Sequence, residues 1–113
     1  MQISIKHPPF DKTKAVVYIV GKISGDKNFY SKFKKAKEFL EHAGYTKIIV
    51  PTCVPDNLPY TCYAPISIAF VQACDVVYAL RDWKDSKGAK AEVSYALMAG
   101  KFVIEEGEDY EIN

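Results

Sequence analysis

Apolar runs and amphipathic stretches alternate along the chain. Four runs are rich in Val, Ile and other apolar residues: AVVYIVG from Ala15, TKIIVP from Thr46, DVVYAL from Asp75 and FVIEE from Phe102. Runs that lack a regular polar alternation are typical of strands buried on both faces of a sheet. The pattern therefore predicts four strands, and the second ends at Pro51 because proline cannot continue an internal strand.

Helical spacing fills the intervals between these strands. Apolar residues recur at steps of three and four over residues 29–43, and Gly44 is a typical helix stop. Pro65 is well suited to the first position of a second helix. A third helix is predicted over residues 89–99, ended by Gly100.

The order β-α-β-α-β-α-β predicts a parallel sheet of four to five strands with helices on both faces. Joined by right-handed crossovers, these units form a small doubly wound α/β domain of the flavodoxin- or Rossmann-like kind. Ligands of such sheets bind beyond the carboxyl ends of the strands. The loops expected at that edge cover residues 21–28, 51–63 and 81–88.

The composition favours one packed domain. The chain has 113 residues, 49% of them hydrophobic, and we expect a single domain over 1–113 in which 1–14 and 106–113 are peripheral or frayed. Lys and Arg number 15 and Asp and Glu 14, which gives a net charge of +1. A general nucleic-acid binder would carry a clear basic excess, so the sequence does not favour nucleic acid as a partner.

The sequence also bears on the compartment. The stretch KHPP stands where a signal peptide would need an apolar run, and no stretch is long enough to span a bilayer. We therefore expect a cytoplasmic protein without a membrane partner. Cys53, Cys62 and Cys74 lack a CxxC spacing and are expected to be reduced thiols; no metal site and no cofactor is expected.

The stretch RDWKDSKGAKAE carries the clearest candidate chemistry. Ser86 and Gly88 stand at the start of the third helix, where unpaired N–H groups and a partial positive charge suit an anion. The simpler alternative is that Asp85 or Ser86 only caps this helix. Trp83 and Tyr18 offer rings that could stack on a flat ligand, although Trp83 is equally suited to the core.

Glu92 is the candidate reactive carboxylate. A rotation of about 100° per residue places it at the border of a buried helical stripe. A carboxylate that lies beside small residues, one turn from the start of a helix, is well placed to face a cavity next to the anion-binding helix N-terminus. The alternative is a partly exposed glutamate paired with a lysine. The predicted stripe consists of Ala89, Val93, Ala96, Leu97 and Gly100.

The loop GKISGD after the first strand combines small and polar residues. Gly21 and Gly25 would clear space for a sugar or a base at the strand end. Ser24 and Asp26 would offer hydrogen bonds to that ligand. Together with Gly25, Ser24 would also form a second small anion-binding site with a hydroxyl group, at the same edge of the sheet.

Two stretches resemble the nucleoside 2-deoxyribosyltransferase superfamily. VYIVGKISGD is similar to its strand–Gly–x–Ile–x–Gly opening, and CDVVYALRDWKDSKGAKAE, followed by ALMAGK, is similar to its Asp–strand–Trp–x–x–Ser–x–Gly–Ala–x–x–Glu signature. The resemblance spans most of the chain, from Val17 to about Ile104. Within the superfamily, the chain resembles the short bacterial and phage branch, which is DUF4406-like.

The resemblance implies an activity and a small-molecule partner. It implies cleavage of the N-glycosidic bond of 2′-deoxynucleosides or their 5′-monophosphates, with Glu92 attacking the anomeric carbon to form a glycosyl-enzyme. It also implies that residues 86–88 bind the sugar 5′ end or its phosphate and that residues 21–25 form the wall of the base pocket. A retaining route needs such a close carboxylate as nucleophile. Members of the superfamily form dimers or larger rings, so we expect a homo-oligomer.

One departure from the superfamily pattern bears on catalysis. An aspartate usually precedes the third strand, in the helix where this chain has YAPISIAF, with Ile66 or Ser67 as the nearest matches. Asp26, Asp56 or Asp82 could supply the missing acid. The alternatives are a nucleotide-binding module without chemistry and a scaffold with a vestigial cleft.

The sequence thus predicts two sets of site residues. The catalytic set is Glu92 and Asp26. The substrate-binding set is Tyr18, Gly21, Ile23, Ser24, Gly25, Trp83, Ser86 and Gly88.

Overall fold

A computed structural model of the chain describes residues 9–53 and 60–107. The strands are β1 (Val16–Val20), β2 (Lys47–Ile49), β3 (Val76–Ala79) and β4 (Phe102–Glu105). The α-helices are α1 (Phe29–His42), α2 (Tyr60–Ala73) and α3 (Lys87–Met98), and short 3₁₀ turns cover Pro51–Cys53 and Trp83–Asp85.

The four strands form one parallel sheet in the order β2-β1-β3-β4. The predicted α/β class, the parallel sheet and its strand number are confirmed. Tyr18, in the middle of β1, lies beside Ile49 of β2 and Val77 of β3. The two central strands, β1 and β3, therefore carry the residues that are best shielded from solvent.

Helices cover both faces of the sheet, as the sequence predicts. On one face, Val17 and Ile19 pack with Phe33 and Leu40 of α1. On the other, the intervening residues of β1 pack with α2 and α3, through Val71 and Val93 among others. Because the connections leave β1 and β3 toward opposite faces, a crevice opens between the carboxyl ends of these two strands.

Helix α2 begins earlier than the sequence predicts. It starts at Tyr60, so Pro65 lies inside the helix and not at its first position. Proline's fixed φ is compatible with a helix, but an interior proline removes the backbone hydrogen bond to the carbonyl four residues earlier, and its ring crowds that carbonyl. The predicted start of α2 at Pro65, which was based on the preference of proline for the first helical position, is therefore wrong.

The buried stripe of α3 is narrower than predicted. Ala89, Val93 and Ala96 are buried, but 61% of Leu97 is exposed and Gly100 is exposed as well. The contact between α3 and the sheet therefore depends on small side chains, and the last turn of the helix lies in solvent.

Residues near both ends of the described chain contact the rest of the domain. The Phe10 ring lies 6.2 Å from that of Tyr45 and 5.2 Å from that of Phe102, centre to centre. The Glu106 N–H donates to the Ala79 carbonyl at 2.8 Å. Phe10 and Glu106 thus contact the rest of the domain. The expectation of peripheral segments over 1–14 and 106–113 stays a prediction, and residues 1–8 and 108–113 lie outside the described part. Within the described ranges, no helix is both long and apolar enough to cross a bilayer.

Candidate functional site

Glu92 and Tyr18 meet on the α2/α3 face of the sheet. Glu92 lies in the second turn of α3, and Tyr18 is the third residue of β1. The Tyr18 hydroxyl donates to Oε2 of Glu92 at 2.5 Å, across 74 residues of sequence. Tyr18 is only 2% exposed and Glu92 is partly buried. The strand and the helix thus hold the carboxylate from two sides.

Ser67 of α2 completes this group of side chains. Its hydroxyl hydrogen-bonds the Glu92 carboxylate and lies beside the Tyr18 hydroxyl, and it lowers the pKa of both groups. The Phe70 ring, one turn further along α2, lies 5.3 Å from the Tyr18 ring. We call Glu92, Tyr18 and Ser67 the Glu92 site; it joins β1, α2 and α3.

Burial dominates the electrostatics of the Glu92 site. Loss of solvent raises the pKa of Glu92, and the hydrogen bonds from Tyr18 and Ser67 offset only part of that effect. Burial, reinforced by the negative charge of Glu92, also raises the pKa of Tyr18. Tyr18 therefore stays a hydrogen-bond donor, and the ionised Glu92 is a weakly solvated carboxylate, as a nucleophile should be.

A second charged group lies in the loops that follow β1 and β3. Lys32 of α1 forms ion pairs with Asp26, at 2.5 Å, and with Asp82. The other carboxylate oxygen of Asp82 accepts the Lys22 N–H at 3.1 Å. We call Lys32, Asp26 and Asp82 the Lys32 cluster. It ties the loop after β1 to the turn after β3.

The charges of the Lys32 cluster reinforce one another. Hydrogen bonds from Lys32, and next from the Asn28 N–H, lower the pKa of Asp26. Burial acts to lower the pKa of Lys32, but the bonds to Asp26 and Asp82 outweigh it, and the pKa is raised. Asp26 is held as a carboxylate, which makes it a poor proton donor. The catalytic role that the sequence suggests for it stays a prediction, and this geometry does not favour it.

At the start of α3, Ser86 caps the helix, which is the simpler of the two interpretations that the sequence allows. Ser86 is the N-cap, and its hydroxyl oxygen accepts the Ala89 N–H at 3.2 Å. Gly88 is exposed in the first turn. Ser86 and Glu92 are six positions apart, about 9 Å along the helix axis. The positive end of the helix dipole therefore lies within about two turns of Glu92, and anion binding there stays a prediction.

Trp83 is partly core and partly surface. Its ring packs against the cluster that includes Val93, and its indole N–H donates to Glu105 at 3.2 Å. The Lys84 ammonium lies 5.5 Å from the ring centre. The indole is thus anchored to the end of β4, and its stacking on a ligand remains a prediction.

The two glycines in the loop after β1 are required for different reasons. A Cβ on the buried Gly21 would lie 2.7 Å from a methyl carbon of Leu80, so Leu80 occupies the space that the sequence analysis gave to a ligand. Gly25 has φ of +79° and nothing within 4 Å of a Cβ, so it serves the turn. Ile23 and Ser24 are exposed beside it. Substrate contacts of these four residues stay predictions.

Two features of the site escaped the sequence analysis. The contact of Ser67 with Glu92 depends on the packing of α2 against α3, which periodicity does not give. The ion pair of Lys32 with Asp26 joins residues six positions apart, and no motif of the sequence marks it. A groove of about 510 Å³ at the opposite end of the sheet, lined in part by Asp75 and Lys101, contains none of the predicted site residues. Among the described residues, no group of three His, Cys, Asp or Glu side chains could hold a metal ion.

The chain is similar to known proteins in sequence and in fold. The model of the domain of unknown function DUF4406 matches residues 15–105. A 2-desoxiribosyltransferase from Leishmania mexicana has a similar structure, with a TM-score of 0.63 and 20% sequence identity, over 80% of this chain and 63% of that chain. This chain thus spans less than two thirds of that structure, and at this identity the likeness shows the fold alone. No curated protein matches the chain.

The family match runs from the residue before β1 to the last residue of β4 and so includes the Glu92 site. It confirms the predicted resemblance to the DUF4406 branch, and the likeness to the Leishmania structure confirms the predicted fold. The chain belongs to the DUF4406 family of domains, and it has the α/β fold of a 2-desoxiribosyltransferase.

Proposed function

We propose that the chain is an N-glycosidase or deoxyribosyltransferase that acts on 2′-deoxynucleosides or their 5′-monophosphates. The observation that carries this proposal is the Glu92 carboxylate, partly buried and hydrogen-bonded by Tyr18 and Ser67. A buried carboxylate with fixed geometry is what a glycosyl-transfer nucleophile requires. The similarity in fold to a 2-desoxiribosyltransferase supports the same reaction class.

The chemistry proceeds in two steps. A carboxylate oxygen of Glu92 attacks C1′ of the sugar while the C1′–N bond breaks and its electron pair leaves with the base. The resulting glycosyl ester is then attacked at C1′ by water or by a second base, and the carboxylate is released. Tyr18 holds Oε2 of Glu92 throughout, which fixes the orientation of the carboxylate toward the sugar.

The remaining predicted residues surround the ligand. The N-terminus of α3, with Ser86 and Gly88, receives the 5′ end of the sugar or its phosphate. The exposed loop residues Ile23 and Ser24 contact the base, and Trp83 forms a wall of the cleft. Asp26 acts through the Lys32 cluster by keeping the loops after β1 and β3 together. No cofactor takes part in this scheme.

Release of free base tests the proposal. The protein is incubated with a panel of 2′-deoxynucleosides and their 5′-monophosphates, and free base is separated by liquid chromatography. Glu92→Gln keeps the shape of the side chain but removes its charge. Glu41→Gln, the same change at an exposed position of α1, is the matched control. Activity in the wild type and Glu41→Gln but not in Glu92→Gln supports the proposal, and no base from any substrate at high protein concentration overturns it.

A nucleotide-binding module without chemistry is the second candidate. It is favoured by one observation: Ser67, a hydroxyl, contacts Glu92 in the helix where the resemblance implies an acid. Calorimetry against the same panel separates the two candidates. Tight binding of a nucleotide without any product supports the module, whereas base release that depends on Glu92 excludes it.

We also infer that the chain forms a homo-oligomer. Ile68 of α2 is 45% exposed, and Leu97 and Met98 of α3 are 61% and 85% exposed. Apolar side chains of this size on neighbouring helices are typical of the core of a subunit interface. Light scattering coupled to size-exclusion chromatography measures the mass directly, and a monomer at high concentration contradicts the inference.

A cytoplasmic location is the further expectation. Cys62 is exposed and Cys74 is buried, and both are free thiols, as expected of a reducing compartment. Fractionation of cells that produce the chain, with detection by antibody, tests this expectation.

A further inference from the structure

The hydrogen-bond partners of Glu92 are hydroxyl groups. Tyr18 donates to Oε2 of Glu92, and Ser67 hydrogen-bonds the same carboxylate. Burial raises the pKa of Tyr18, so its phenol does not release a proton in the physiological range. The Ser67 hydroxyl is a hydrogen-bond donor but is not acidic enough to act as a general acid. The Glu92 site therefore orients a nucleophile without offering a ready proton to a departing base.

The carboxylates of Asp26 and Asp82, in the loops after β1 and β3, form ion pairs with Lys32. Asp26 and Asp82 both form ion pairs with its ammonium group, and Asp82 also accepts the Lys22 N–H. The pKa of Asp26 is lowered while that of Glu92 is raised, so Asp26 is ionised at every pH at which Glu92 is. Asp26 therefore cannot hold a proton for the leaving group while Glu92 acts as nucleophile.

A neutral nucleobase is a poor leaving group under these conditions. Its ring nitrogen takes the electron pair of the C1′–N bond and departs as an anion unless an acid protonates the ring. A heterocycle that already carries a positive charge departs as a neutral molecule and needs no proton. The choice of substrate therefore depends on the charge of the leaving group more than on its shape.

Building on the proposed function, we propose that this site acts on N-glycosides whose leaving heterocycle is cationic. N7-alkylated purine nucleosides and pyridinium nucleosides belong to this class. Glu92 forms a bond to C1′, the C1′–N bond breaks, and its electron pair neutralises the charge of the ring. Water then attacks C1′ of the ester; the sugar leaves with the added hydroxyl, Glu92 regains its negative charge and one proton passes to solvent.

A matched pair of nucleosides measures the preference. 2′-Deoxyguanosine and 7-methyl-2′-deoxyguanosine share the same sugar and differ in one methyl group and one charge. Base release is followed by chromatography, and the spontaneous loss of base in buffer is subtracted for each substrate. The wild type should release base from the methylated substrate at least about 10²-fold faster than from 2′-deoxyguanosine. This factor is the smallest rate gain that a general acid usually provides. A preference of less than about 10²-fold overturns the inference but leaves the proposed function intact.

A substitution at Ser67 sharpens the test. Ser67→Asp places a carboxyl group beside Glu92, and the rate on 2′-deoxyguanosine should rise by about 10²-fold or more. The rate on the methylated substrate should stay the same or fall, because a second carboxylate raises the pKa of Glu92. Ser67→Asn, of similar volume but without an acid, is the control. A Ser67→Asp protein that keeps the full preference overturns the assignment of this preference to residue 67.

Two further results separate the possible failures. Guanine release from 2′-deoxyguanosine that disappears in Asp56→Asn assigns the acid to Asp56, which lies outside the described residues, and overturns the inference. Equal and negligible release from both substrates by the wild type and by Glu92→Gln rejects the proposed function itself.

Discussion

The Glu92 site and the Lys32 cluster place carboxylates in opposite environments. Glu92 is partly buried, contacts two neutral hydroxyls, and has a raised pKa. Asp26 lies nearer to solvent, contacts an ammonium group, and has a lowered pKa. The difference shows that the partner and the degree of burial, not the type of residue, decide which carboxylate is reactive and which one is structural.

Replacing the two carboxylates by amides should have very different effects on activity. Glu92→Gln should lower kcat/KM by on the order of 10⁴-fold or more, because it removes the nucleophile. Asp26→Asn should lower it by less than about tenfold, because its loss only loosens two loops. Both are measured as base release under identical conditions. A loss of 10²–10⁴-fold in Asp26→Asn would instead identify Asp26 as the general acid.

Removing the hydroxyl of Tyr18 should weaken the Glu92 site without abolishing it. Tyr18→Phe should lower kcat/KM by about 10–10²-fold, the usual value of a hydrogen bond to a charged group. Activity requires ionised Glu92, so it should increase with pH through the raised pKa of this residue. In Tyr18→Phe the midpoint of that increase should move to higher pH, since one bond that lowers the pKa is lost. An unchanged midpoint would contradict the assigned role of Tyr18.

The same comparison predicts an effect on stability that depends on pH. At neutral pH, Glu92→Gln should be more stable than the wild type by about 1 kcal/mol, because a poorly solvated charge is removed. The raised pKa of Glu92 stabilises the wild type below its ordinary value of 4.5, and this contribution is lost as the pH rises through the folded-state pKa. The advantage of Glu92→Gln should therefore shrink in acid. Urea denaturation at several pH values measures it, with Glu41→Gln as the control.

Breaking the Lys32 cluster should have the smallest effect. Lys32→Met keeps the apolar stem of the side chain and removes the charge, so Tm should fall by only about 2–5 °C. The fall should be smaller still in high salt, which already screens the ion pairs. Lys34→Met, an exposed neighbour on α1, is the control. A large fall in Tm that salt does not change would show that packing, not charge, holds these loops.

The sheet and its helices could be predicted because their signals are local. The run from Val16 to Val20 is apolar throughout, and the stripe with Phe33 and Leu40 has helical spacing. The start of α2 could not be predicted in the same way, because proline favours the first turn of a helix, whereas Pro65 lies in the interior of this one.

In the candidate site, too, the features with a local signal in the sequence could be predicted and the others could not. Glu92 could be identified from its place at the border of the α3 stripe, and Ser86 from its place before a helix. The bond between Tyr18 and Glu92 joins residues 74 positions apart, and the reason for Gly21 lies in Leu80, which directly follows β3. Such contacts depend on how elements pack, which spacing along one element does not determine.

The close fit of Leu80 over Gly21 makes these two positions interdependent. A methyl group at position 21 would lie 2.7 Å from a methyl carbon of Leu80, so the side chain at position 80 must move or become smaller to make room for it. Across the family, we expect alanine or serine at the first position to occur together with valine or alanine at the second. In an engineered variant, the paired change should restore much of the stability that Gly21→Ala alone removes.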